Sequence, residues 1–193
     1  MTGMNIFLIL GPALNGAATF FWQPGTQGAT GGTLSGLGSA FWLIGLLGVY
    51  RQLPERHTRA LIPLAVLGTA GGIAFSVQAI HEQMFGISHA TAVAMLDEYP
   101  FAANTLYWFC GPLFPFSLAA LGILLWRERA VPVPTAVLMV LGAAAFPLSR
   151  MSREVSIAHL ADLLLLLPFL MIGVRGLRAG DERRSSQMAT ESE

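Results

Sequence analysis

Apolar residues run through this chain in bilayer-length blocks, and polar residues are confined to the short stretches between them. Residues 4–22 and 36–53 form the first two blocks, parted by the turn-rich segment QPGTQGATGGTLS at residues 23–35. Residues 60–80, 104–126, 131–148 and 155–174 form four more. A helix rising about 1.5 Å per residue needs roughly 20 residues to cross a bilayer, where backbone groups must bond within their own segment. The first block lacks the positive flank of a secretory signal, although Gly16, Ala17 and Ala18 are small enough for cleavage, so it reads as a retained helix. Residues 88–98, SHATAVAMLDE, carry an N-capping Ser88 and stop before Pro100, which predicts a short helix lying at the membrane surface. Gly111, Pro112 and Pro115 predict a kink in the fourth block, and Gly68, Gly71 and Gly72 predict close helix packing in the third.

The pattern therefore predicts an all-α integral membrane protein, a bundle of six transmembrane helices with one short interfacial helix. Residues 1–178 form this six-span domain, and residues 179–193 read as a disordered cytoplasmic tail. Arginine placement orients the bundle, because basic loop residues stay on the cytoplasmic side. With the protein in the cell membrane and both termini cytoplasmic, Arg51, Arg56, Arg59, Arg127, Arg129, Arg175, Arg178, Arg183 and Arg184 fall on the cytoplasmic side, nine of the eleven basic residues. Arg150 and Arg153 fall outside.

Composition agrees with that reading: 54% of residues are hydrophobic and 11% charged, with formal net charge zero. No basic field is available for nucleic acid, and the expected partners are the lipid bilayer and a small-molecule ligand. Every basic residue is an arginine, which excludes lysine Schiff-base chemistry. The single Cys110 can form no internal disulfide and reads as a small hydrophobe. Trp22, Trp42, Trp108 and Trp126 read mostly as anchors near span ends, and His57 and His89 as solvated loop residues.

Chemistry is sparse, and most of it gathers toward the outer half of the bundle. Asp162 is the one acidic side chain inside an apolar span; it lies roughly 12 Å below Glu154 and shares a helix face with Ser156 and His159. An ionised Asp at such depth costs about 2.5–3.5 kcal/mol on insertion scales, so it has to face the interior and find a partner. Gln78, His81 and Glu82 share a face at the outer end of the third span, Asn104 and Tyr107 enter the fourth, and Arg150 and Arg153 flank the turn into the sixth. These nine residues are expected to line an outward-facing polar cavity or to form a buried polar network. The favoured function is small-solute or proton-coupled transport or sensing through that cavity. One alternative is a membrane enzyme with a metal held by His81, His159 and Asp162, or a haem on His81 and His159. Another is a structural accessory subunit in which the polar residues only lock helix packing. No catalytic motif in the sequence favours the enzyme, and no cofactor is specified.

Overall fold

The computed structural model describes residues 3–23 and 25–175, so the expected tail lies outside the described residues. Within them the chain is helical: α1 (Gly3–Thr19), α2 (Gly28–Tyr50), α3 (Glu55–Phe85), α4 (His89–Leu96), α5 (Pro100–Ala102), a π-helical segment (Ala103–Cys110), α6 (Gly111–Arg127), α7 (Val133–Ser152) and α8 (Val155–Arg175). Short α5, the π segment and α6 run on as one rod, Pro100–Arg127. Among the described residues, five elements are long and apolar enough to cross a membrane: α2, α3, this rod, α7 and α8. At 17 residues α1 is shorter, near the lower limit of a spanning helix. The six-span expectation thus becomes five full-length spans and one short apolar helix.

The long helices alternate in direction and pack in chain order, α1 on α2, α2 on α3, α3 on α6, α6 on α7 and α7 on α8. Then α8 returns to α1 and closes a ring. The outer surface of the ring is apolar, with Ile6, Leu37, Val66, Phe116, Leu141 and Leu163 all exposed. A water-soluble chain would hide such a belt; here it is the surface offered to lipid.

Trp42 fills the middle. It is fully buried on α2 and meets Phe114 of α6 and Phe169 of α8 edge-to-face, with centroids 5.2 and 5.1 Å apart. The expectation that the tryptophans sit mostly near span ends is corrected for this one. It packs where the opposing backbone is bare: a Cβ at Gly11 would lie 2.5 Å from Trp42 Cα.

Small residues also explain why α2 starts at Gly28 rather than near residue 36. The Gly/Thr-rich stretch read as loop is the first turns of a helix whose glycines face neighbours, and a Cβ at Gly32 would come within 2.6 Å of the Ser76 carbonyl oxygen on α3. Of the three α3 glycines expected at close crossings, Gly68 and Gly71 stand at one and Gly72 does not. A Cβ at Gly68 or Gly71 would stand 2.2 Å from Phe114 N or 2.5 Å from Gly111 N. Where a kink is expected in the fourth span, the structure has a π-helical segment just ahead of Pro112 and Pro115. Those prolines remove N–H groups that would otherwise meet carbonyls a turn earlier, and the helix widens there.

Gly71→Val is expected to lower the melting temperature in detergent, by about 1–3 kcal/mol of stability, through backbone overlap with Gly111. Gly72→Ala, whose Cβ would meet only Ser39 Oγ at 3.6 Å, should stay within about 0.5 kcal/mol of the parent. Equal losses in both variants would show that the α3–α6 crossing does not depend on close approach.

Candidate polar site at one end of the bundle

The polar residues converge where α1, α3 and α7 end. Arg150 lies in the last turn of α7, where a cation meets the negative end of the helix dipole, and Arg153 caps the same helix one turn on. Arg153 adopts the left-handed backbone, φ 56°, and its N–H donates to the Ser149 carbonyl at 3.1 Å. Glycine is the residue usually found there, and a side chain costs about 1–2 kcal/mol. This chain accepts that strain and uses the resulting direction, because the two guanidinium groups part to opposite partners.

Arg153 turns to α3. Its Nη1 donates to Glu82 Oε2 at 3.3 Å, and its Nη2 lies 2.7 Å from His89 Nδ1. The same Nδ1 is 2.7 Å from Glu82 Oε1, which also accepts from Gln78 Nε2 at 3.3 Å. One ring nitrogen cannot serve both neighbours at once: without a proton it accepts from Arg153, and with one it donates to Glu82. The Glu82 side chain is only 1% exposed, so its charge is answered inside the protein. Burial pushes the Arg153 guanidinium below its ordinary range; Glu82 pulls it back up, and Arg150 lowers it further.

Arg150 turns to α8. Its Nη2 donates to Asp162 Oδ1 at 3.3 Å, and its guanidinium stands 4.8 Å from the Trp22 ring and 4.5 Å from the Phe146 ring. Asp162 is buried, and His159, one turn before it, stacks on Phe20 at 4.6 Å. The three aromatic residues after α1 therefore do different work. Phe20 covers His159, Trp22 covers Arg150, and Phe21 faces a cleft of about 680 Å³.

That cleft lies between the α1–α2 and α3–α4 connections. Gln23, Thr26, Thr30, Gln83 and Ser88 supply hydroxyls and amides to its lining, with Glu82 and His89 at its wall. Its rim is held by local bonds: the Gln23 and Thr26 backbones exchange two hydrogen bonds at 3.0 Å, and Gln83 Oε1 accepts from the Ala29 N–H in the first turn of α2. Gly86, left-handed at φ 63°, ends α3 and turns the chain back so that His89 reaches Glu82. Ser88 Oγ caps α4 by accepting from Thr91 N at 3.1 Å, as its sequence position predicts.

The nine expected residues divide. Gln78, Glu82 and Arg153 form one cluster, and Arg150, His159 and Asp162 form another. The two stay apart because α3 and α8 do not pack side by side in the ring. His81 projects from the exposed side of α3, 5.7 Å from the Phe85 ring. Asn104 is exposed, and Tyr107 meets Phe75 edge-to-face at 5.0 Å. Among the described residues, no three of His, Cys, Asp or Glu come together in a group that could hold a metal ion, and His81, His159 and Asp162 are not such a group. The expectation of a solvated His89 is corrected: it joins the buried Glu82–Arg153 pair. His57, at the other end, lies 3.3 Å from Glu128.

No family model, curated protein or solved structure matches the chain. Fold and surface define a multi-pass helical membrane protein, and any reading beyond that class rests on the geometry of this site.

Truncating either partner of the Glu82–Arg153 pair strands a buried charge, so Glu82→Ala and Arg153→Ala are each expected to cost about 3–5 kcal/mol, and the double variant less than their sum. Thermal unfolding of the four proteins closes the cycle. Additive losses would mean that the pair does not act as a unit.

Proposed function

We propose that the protein binds a small, polar, uncharged solute in the cleft at this end of the bundle, as a transport or sensing module of a cell membrane. Among its features the lining carries this reading most directly. Hydroxyl and amide groups converge on about 680 Å³, and the one carboxylate at the wall is already answered by Arg153 and His89. Such a lining favours solutes of polyol or amide type over ions, since an ion would leave its charge uncompensated there. His89 gives the cleft a link to the bundle: a solute that bonds to the imidazole competes with Arg153 and Glu82 for it. The Trp42 plug closes the centre of the ring in this conformation, so passage through the bundle requires α2, α6 and α8 to separate.

The cleft end is assigned to the cell exterior. Arg51, Arg56, Arg59, Arg127, Arg129 and Arg175 lie at or near the other ends of the helices, which the positive-inside rule retains in the cytoplasm.

A panel of polyols, ureas and neutral amino acid amides, added to the purified protein, is expected to contain compounds that raise its melting temperature; at about 100-fold excess over Kd the gain is about 2.7 kcal/mol. Thr30→Trp, which fills the cleft from an exposed position, should abolish the gain and leave the unliganded melting temperature near the parent value. No response to any class would sink the solute reading. Sidedness is checked separately with an impermeant maleimide, since the native Cys110 is buried. Thr30→Cys should label in intact cells and Arg127→Cys only after permeabilisation, and the reverse pattern would invert the orientation.

A further inference from the structure

The second cluster stands apart from the cleft, and its hydrogen bonding is incomplete. Arg150 Nη1, His159 Nε2 and Asp162 Oδ2 are each shut off from solvent and have no hydrogen-bond partner within the protein. They are a donor, a ring nitrogen that can donate or accept, and an acceptor. Asp162 itself is 3% exposed, and its other oxygen is held by Arg150. Such orphaned atoms are rare in folded proteins and call for a specific explanation. On the α1 side there is room: a Cβ at Gly16 would meet only Asp162 Cβ, at 3.8 Å, an ordinary contact.

We propose that Asp162 is a proton-binding site within the bundle and that His159 is the group that passes it the proton. The transfer moves one proton and no electrons. A proton from the aqueous end of the bundle binds Nδ1 of the neutral imidazole, the N–H bond at Nε2 breaks as an O–H bond forms at Asp162 Oδ2, and the ring is left neutral with its proton on Nδ1. Hydrogen-bond reach, or one intervening water, is what such a step requires, and the spacing of three residues places both groups on one face of α8.

The neighbouring arginine explains how the carboxylate can be released from its charge. Neutralising one member of a buried ion pair ordinarily strands the other. Here the Arg150 cation lies against the faces of Trp22 and Phe146, which hold a positive charge whether or not Asp162 carries a negative one. Other ionisable groups are few on this side. From α7, Arg150 faces Asp162 and Arg153 is committed to Glu82; from α8 there is His159; α1 sets Gly16 beside Asp162 and carries no ionisable side chain. The inference does not depend on solute binding in the cleft, and its test uses no solute.

Infrared difference spectroscopy of the full chain in lipid vesicles, titrated from about pH 3 to about pH 9, spans the ordinary range of carboxyl and imidazole groups. The expected signal is a buried carboxylic acid band that grows on acidification, is lost in Asp162→Asn and survives in Glu82→Gln. His159→Phe keeps a ring against Phe20, and it should retain the band but slow its exchange with deuterium by on the order of a hundredfold. Should Asp162→Asn fail to assemble, Asp162→Glu in protein carbon-labelled only at aspartate should remove the label from the band. Absence of a titrating buried carboxyl, a band indifferent to substitution at Asp162, or unchanged exchange in His159→Phe would each overturn the proposal.

Discussion

A charge carried into a bundle of bilayer-length helices has to be answered by another part of the protein, because lipid cannot answer it. The end of α7 meets that demand twice. Arg150 and Arg153, one turn apart, address Asp162 on α8 and Glu82 on α3, and in doing so tie α7 to two helices that do not pack on each other. The other polar features of this end are arranged around the two pairs. Trp22 and Phe146 cover one guanidinium, and Gln78 and His89 complete the bonding of the carboxylate that the other meets. The left-handed backbone at Arg153 is the local cost of sending neighbouring cations in different directions.

Close packing does the corresponding work in the apolar part. Without water, helices gain little by hiding oil from oil, and contact between backbones becomes the main source of cohesion. The glycines at 11, 32, 45, 68 and 71 each stand where a Cβ would overlap a neighbouring helix. They bring α1, α2, α3 and α6 close enough for Trp42 to fill the remaining centre. Close packing in the middle leaves the polar chemistry to one end of the bundle, where the cleft lies.

Much of the architecture was legible in the sequence because bilayer thickness imposes a length on every span, and because turns concentrate the polar residues. Depth was legible too, which is why Asp162, Glu82, Arg150 and Arg153 all fall in the outer half of the expected bundle. What depth cannot give is azimuth. Which helix each arginine faces depends on the order of helices around the ring, and no periodicity in α3 or α8 encodes that they are not neighbours. His81 shares its face with Gln78 and Glu82 in sequence, yet only the latter two point inward. His89 reads as solvated in the sequence because its role depends on the chain reversal at Gly86, which brings a residue seven positions on back to Glu82. The start of α2 was misread for a related reason: glycine and threonine signal a loop in water, but in a membrane bundle the same residues are contact surface.

Ring closure by α8 against α1 has a bearing on how the protein is made. Helix α1 leaves the ribosome long before its second neighbour exists, so during synthesis the side that carries Gly16 waits uncovered while five later segments are delivered. Asp162 arrives on the last of them and meets Arg150 and Gly16 as the circle shuts. Until that helix arrives, Arg150 has only the Trp22 and Phe146 rings beside it, so the ion pair is the last link made and marks a completed bundle.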